Sequence, residues 1–193
     1  MPQKSVTYKI TSRDIFDKAF RDIFLSQIVS VIGGLIAGIV LAVYTNHLLL
    51  IPGILILLPG FLEMRGSISG SFASRLSSGL FLGVIDPESR RFTKLIKGNI
   101  VASFLLAMIV SGALGILAML FNYAVLHVFA LKLIALSLVA GILANAIEIP
   151  LTLFFTLYLF KKGHDPNNII GPFVTSTGDI TSIVALLIAL III

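Results

Sequence analysis

Residues 99–121, NIVASFLLAMIVSGALGILAMLF, carry no charged side chain and are long enough to cross a lipid bilayer as one helix. Further apolar runs occupy residues 24–44, 132–160 and 168–193. A helix needs about 20 residues to cross the hydrocarbon core. Each of these four runs therefore predicts a membrane span.

The composition of the whole chain agrees with a membrane protein. Of 193 residues, 58% are hydrophobic and 12% are charged, whereas a soluble domain carries roughly 25% charged residues. The mean hydropathy is +1.08. These values exclude a soluble enzyme, a disordered chain and a nucleic-acid-binding domain. The net charge of +5 indicates basic segments at a membrane face. The chain has no Cys, which excludes disulfides, thiolate metal sites and cysteine nucleophiles.

A second span is predicted between residues 48 and 83, where a short apolar run continues into a stretch of small and polar residues. As one helix this segment would be roughly 54 Å long at 1.5 Å per residue, which exceeds one bilayer. The pairs Pro52-Gly53 and Pro59-Gly60 are the expected places for a break. The total is then five spans.

The positions of the basic residues predict the orientation. They lie in the N-terminal segment, in the loop after the second span and in the loop after the fourth: Lys4, Lys9, Arg13, Lys18, Arg21; Arg90, Arg91, Lys94, Lys97; Lys161 and Lys162. Five spans with a cytoplasmic N-terminus and an outside C-terminus place all three segments in the cytoplasm, where Lys and Arg accumulate. The prediction is an all-α, multi-pass protein of the cell membrane.

The N-terminal segment has a pattern of its own. Over residues 11–23, apolar residues fall on one helical face and charged residues cover the rest. We therefore predict two parts: residues 1–23 as a cytoplasmic amphipathic helix and residues 24–193 as a five-helix transmembrane domain. Two roles remain open for the first part: resting on lipid headgroups, or contacting the pore mouth or a partner.

Three carboxylates lie within the predicted spans, namely Glu63, Glu148 and Asp179. An acid in hydrocarbon costs several kcal/mol unless it faces protein, water or a counter-ion, which makes each one a functional candidate. Their distances from the span ends place all three in the middle or inner half of the bilayer. Carboxylate oxygens are ligands that a hard divalent cation prefers. We predict these three residues as metal ligands.

Polar residues one helical turn away support this interpretation: Ser67 near Glu63, Asn145 near Glu148, and Thr175 and Ser176 near Asp179. They form a predicted pore lining.

Structural roles remain open for these acids. Glu63 could pair with Arg65, Arg75 or a basic loop residue, and Glu148 could be protonated and bonded to Asn145 or a serine of the second span. Asp179 has no basic residue in its own span, which favours a cation role for it. Arg75 is expected to be a snorkelling anchor or an ion-pair partner.

Glycines at four-residue spacing in the first two spans predict close helix packing. Gly34 and Gly38 form one such pair, and Gly66 and Gly70 form another. Small residues at this spacing let two membrane helices approach closely.

Two stretches resemble a known family. Residues 57–83, LLPGFLEMRGSISGSFASRLSSGLFLG, are similar to the second-span signature of MgtE-type divalent-cation transporters and of their eukaryotic solute-carrier relatives. Residues 165–187, DPNNIIGPFVTSTGDITSIVALL, resemble the family's fifth-span signature, in which a Pro, then Thr or Ser, and then an Asp line the pore. The five-span count fits the membrane domain of this family.

The resemblance implies a homodimeric pathway for Mg²⁺, lined chiefly by spans two and five. Asp179 matches the pore aspartate and would hold the hydrated cation, with Thr175 and Gly171 on the same lining. Glu63 and Ser67 would form a further site. Mn²⁺, Co²⁺ and Zn²⁺ are alternatives to Mg²⁺, because an oxygen-lined route also admits them.

The chain departs from the family in two ways. Bacterial relatives carry large N-terminal sensing domains, whereas only about 23 residues precede the first span here, so we expect gating by a separate regulatory subunit or by the amphipathic helix. Ser67 stands where an amide is expected in many relatives. We expect the chain to pair with a second copy of itself or with a paralogous subunit. Membrane lipids are the other expected partners, and no nucleic acid is expected.

Three functions compete at this point. The first is a Mg²⁺ channel or transporter, the second a Na⁺- or H⁺-coupled exchanger, and the third a non-conducting membrane scaffold. An enzyme is not expected, because the sequence contains no convincing nucleophile–base pair or cofactor motif.

Overall fold

A computed structural model describes residues 12–88 and 93–193, with side chains in the first helix described from residue 18 onward. Five of the basic residues on which the predicted orientation rests have side chains outside the described part: Lys4, Lys9, Arg13, Arg90 and Arg91. The described residues form five helices: α1 (Ser12–Leu48), α2 (Ile54–Phe81), α3 (Lys94–Leu126), α4 (Lys132–Lys161) and α5 (Pro166–Ile192). These residues contain no strand, which confirms the predicted all-α architecture for this part of the chain.

Four segments among the described residues are long and apolar enough to cross a membrane. They are the Lys18–Leu48 part of α1 and the whole of α3, α4 and α5. Helix α2 is not among these apolar segments, and it carries the charged residues Glu63, Arg65 and Arg75. It packs against α3, α4 and α5, so these helices shield much of its surface. That α2 is a fifth span stays a prediction.

Helix α1 is continuous from Ser12 to Leu48, so the amphipathic segment and the first span form one helix with no break after residue 23. It packs mainly on α5. The buried Ser26 hydroxyl bonds to the backbone oxygen of Ile23 at 2.8 Å and to that of Asn168 at 3.2 Å. Whether the first turns of α1 rest on a membrane surface stays a prediction.

One of the two predicted helix breaks is confirmed and the other is wrong. The chain turns at residues 49–53, and Gly53 has a φ of 84°, a conformation that side-chain-bearing residues rarely adopt. Pro59 instead lies inside α2, which runs on without interruption. The 28 residues of α2 span about 42 Å. The predicted excess length came from Leu48, which ends α1, and from turn residues on both sides of α2.

The predicted close packing at the spaced glycines is also wrong within this chain. No heavy atom outside the local helix would lie within 4 Å of a Cβ at Gly34, Gly38, Gly66 or Gly70. The close approach occurs elsewhere, for example between α3 and α4. A Cβ at Gly115 would lie 2.7 Å from the Cα of Ile134. Spacing alone does not distinguish a glycine that faces a neighbouring helix from one that faces outward.

The N-terminal part of α1 and the two predicted basic loops meet at one end of the bundle. Lys161 at the end of α4 pairs with Glu88, which follows α2, at 3.5 Å. His164, in the loop between α4 and α5, lies 3.4 Å from Asp22 of α1. The shared end agrees with the predicted charge asymmetry. Which side of the membrane it faces stays a prediction.

Candidate cation site

Arg65 of α2 is fully buried between α4 and α5. Its Nη1 lies 3.7 Å from Glu148 Oε2, and its Nη2 lies 3.6 Å from Asp179 Oδ1. The guanidinium also donates to the backbone oxygens of Val174 at 3.3 Å and Thr175 at 3.4 Å. We call Arg65, Glu148 and Asp179 the ion triad. It joins three helices by charge.

The backbone of α5 makes room for the guanidinium. A Cβ at Gly178 would overlap Nη1, Nη2 and the carbon between them. Only a residue without a side chain leaves this volume free. The Gly178-Asp179 pair therefore supplies both a space for the Arg65 head group and a charge for it.

The triad carries two formal negative charges and one positive charge. Glu148 is fully buried, and Thr181 donates to its Oε1 at 3.4 Å. A charge removed from water is tolerated only when it is paired. Arginine keeps its charge in proteins, so buried Arg65 requires an acidic partner just as the buried acids require a basic one.

Asp179 differs from Glu148 because its side chain is 26% exposed. It opens into a cavity of about 460 Å³ between α2 and α5, which we call the central cavity. The cavity is lined by Pro59, Leu62, Glu63, Arg65, Gly66, Ser67, Thr175 and Asp179. Ser67 donates to Glu63 Oε1 at 3.3 Å. Four residues predicted from the sequence, Glu63, Ser67, Thr175 and Asp179, therefore share one cavity.

The cavity belongs to a longer polar face. On α2 the exposed side chains of this face are Glu63, Ser67, Ser71, Ser74 and Ser78. On α5, Gly171 and Thr175 are exposed on the same face as Asp179. We call these residues the α2–α5 polar face. Hydrocarbon is a poor environment for hydroxyl and carboxylate groups, so water or protein must cover it.

The other predicted site residues lie away from the central cavity. Glu148 is behind Arg65. Asn145 is buried in α4 and donates to the backbone oxygen of Gly141 at 2.8 Å. Ser176 is buried against Gly33 of α1. No three Asp, Glu, His or Cys side chains within the described ranges are close enough to hold a metal ion together.

The role of Arg65 is not evident from the sequence alone. The sequence offers Arg65 as a partner for Glu63, whereas the structure pairs Arg65 with Glu148 and Asp179. One feature of the sequence could have indicated this role: an Arg within a predicted span needs buried acids, and two other predicted spans each carry one. Arg75 bonds instead to Asn99 Oδ1 at 2.7 Å and to Ser103 Oγ at 3.0 Å.

Long apolar helices that enclose a buried ion triad define a multi-pass membrane protein. The sequence profile of the MgtE family, described as a divalent cation transporter, matches residues 58–189. This range covers more than half of the chain and includes nearly all of both signature stretches. The chain belongs to the MgtE family, whose function is transport and not enzymatic catalysis. Neither the curated proteins nor the solved structures gave a match.

Proposed function

We propose that this chain carries Mg²⁺ across the cell membrane through a pore made by two copies, in which Asp179 holds the hydrated cation. The observation that carries the proposal is the Asp179 carboxylate. It lies midway along α5 (Pro166–Ile192) and opens into the central cavity. In a member of a divalent-cation transporter family, an acid at this depth is the natural ligand of the ion.

The α2–α5 polar face supports the dimer. A second copy placed against this face would remove its hydroxyl groups from lipid and bring two Asp179 carboxylates to one axis. Gly66 and Gly70 have open space around them, so they would let the second copy approach closely. The pore would then be lined by α2 and α5 of both copies.

The ligands suit Mg²⁺. This ion sheds water reluctantly and is commonly held by one or two carboxylates through its water shell. Asp179 and Glu63 supply carboxylates, and Ser67 and Thr175 supply hydroxyl groups for bound water. Binding must also be weak enough to release the ion again. Competition by Mn²⁺, Co²⁺ and Zn²⁺ tests the selectivity.

Divalent-ion uptake into proteoliposomes tests the proposal. Wild type should take up Mg²⁺, and Asp179→Asn should lose at least about 90% of this flux, because the neutral amide no longer attracts the cation. Glu88→Gln is the matched control, since it neutralises an exposed acid outside the cavity and should transport like wild type. Normal flux through Asp179→Asn would contradict the proposal. Dependence on a Na⁺ or pH gradient would identify a coupled exchanger.

Single cysteines test the dimer, because the chain has none of its own. Ser71→Cys places a thiol on the α2–α5 polar face, and short bifunctional thiol reagents should link two copies there. Leu117→Cys is the control, because Leu117 is 51% exposed on α3, away from this face. We expect mostly dimer on denaturing gels for the first variant and monomer for the second. The reverse pattern would place the interface on α3.

A further inference from the structure

We infer that Arg65 is a tethered competitor of the transported cation. Its guanidinium pairs with the Asp179 carboxylate when no ion is present. A divalent cation that binds Asp179 displaces the guanidinium, which then pairs with Glu148 alone. This inference rests on the proposed function, because it takes Asp179 to be the ligand of the ion. It begins from an unusual placement: among the Lys and Arg side chains that the structure describes, only Arg65 is fully buried.

The guanidinium is shared between two acids. The Arg65 nitrogens lie 3.7 Å from Glu148 and 3.6 Å from Asp179, whereas a strong charge-assisted bond measures about 2.8 Å. Neither contact is that short, and the hydrogen bonds to the backbone oxygens of Val174 and Thr175 are also long, at 3.3 and 3.4 Å. No single short contact therefore fixes Arg65 on one partner. A small movement of its head group would strengthen one ion pair and weaken the other.

The two acids are not equally accessible. Asp179 lines the central cavity, and Glu148 does not. A cation that enters the cavity can therefore reach Asp179 but not Glu148, and fully buried Glu148 stays available to Arg65. Glu148 makes the exchange possible, because an Arg65 side chain that lost its only partner would be a buried, unpaired charge.

This exchange would serve transport in two ways. A competing charge at Asp179 weakens cation binding and hastens release, which conduction requires. It also favours divalent ions, since an ion with two charges is attracted to Asp179 twice as strongly as a monovalent ion at the same distance. Arg65 thus becomes a determinant of affinity and specificity, in addition to its role in holding three helices together.

Calorimetric titration of Mg²⁺ into the purified full chain in lipid nanodiscs tests the inference, with four proteins compared: wild type, Glu148→Gln, Arg65→Met/Glu148→Gln and Asp179→Asn. Glu148→Gln leaves Arg65 only Asp179 to pair with, so the Kd should rise about tenfold. Arg65→Met/Glu148→Gln removes the competitor, so the Kd should fall about tenfold below that of wild type. The double variant and wild type have the same net charge in the triad, so the difference between them isolates the competition.

The outcomes separate the inference from the proposed function. If Asp179→Asn abolishes binding while the other two variants bind like wild type, Arg65 is purely structural and the inference is wrong. If Asp179→Asn binds like wild type, the proposed function fails, and the inference fails with it. Thermal unfolding confirms that each variant is folded. Should the double variant not fold, the comparison of Glu148→Gln with wild type remains, and an unchanged Kd for Mg²⁺ in Glu148→Gln overturns the inference.

Discussion

Replacing Arg65 with Met is expected to lower the free energy of unfolding by about 3–5 kcal/mol, the usual cost of removing one partner from a buried ion pair. Met replaces the apolar stem of Arg65 but ends two atoms earlier, so the charge and the hydrogen bonds to the backbone oxygens of Val174 and Thr175 are lost together. Glu148 would be left fully buried without its counter-ion, although the 3.4 Å hydrogen bond from Thr181 would remain. Asp179 suffers less, because its exposed side can be hydrated.

Equilibrium unfolding in mixed micelles measures this loss. Arg75→Met is the matched control, since Arg75 is exposed and bonds to neutral partners, Asn99 and Ser103; its loss should be clearly smaller. The triple variant Arg65→Met/Glu148→Gln/Asp179→Asn should recover most of the stability, because a buried triad replaced by neutral groups is often tolerated. If Arg65→Met is as stable as Arg75→Met, the ion triad does not hold the helices together.

Features that depend on local sequence were predictable. Length and hydropathy along the chain located four spans, since bilayer thickness imposes the same requirement on each of them. The turn at Pro52-Gly53 follows from the backbone limits of Pro and Gly. Glu63 and Asp179 were singled out because acids are rare and costly within spans. Ser67 and Thr175 were singled out because they lie one helical turn from these acids.

Features that depend on contacts between helices were not predictable. Pro59 was expected to break α2, but membrane helices tolerate Pro where neighbouring elements satisfy the freed backbone groups. The partners of Arg65 lie on α4 and α5, far away in sequence. Ser176 and Thr175 are adjacent in sequence, yet one is buried against α1 and the other lines the central cavity.

The ion triad also changes how the scaffold hypothesis is judged. The sequence argued against a purely structural Asp179 because its span contains no basic residue. The structure supplies that partner from α2, so this objection no longer holds. What favours transport now is membership of the MgtE family, together with the exposed α2–α5 polar face, which a scaffold of lipid-facing helices would not need.

Replacing Gly178 with Ala is expected to destabilise the protein by about 3 kcal/mol or more, although Ala is the better helix former by about 1 kcal/mol. The new Cβ would overlap the guanidinium of Arg65. Overpacking alone costs roughly 1–3 kcal/mol, and a displaced Arg65 would also weaken its pairs with Glu148 and Asp179. The same unfolding measurement applies. Gly171→Ala is the control on the same helix, because nothing lies within 4 Å of its new Cβ.

A double-mutant cycle distinguishes overlap between the new Cβ and the Arg65 guanidinium from a general destabilising effect of Ala in α5. If Gly178→Ala acts by expelling the Arg65 head group, it should cost little once that head group is absent. Gly178→Ala/Arg65→Met should then be about as stable as Arg65→Met alone. The loss measured for the double variant should therefore be smaller than the sum of the two single losses by about 3 kcal/mol. Full additivity would mean that Gly178 acts through the helix backbone, and that α5 does not depend on Gly178 to accommodate Arg65.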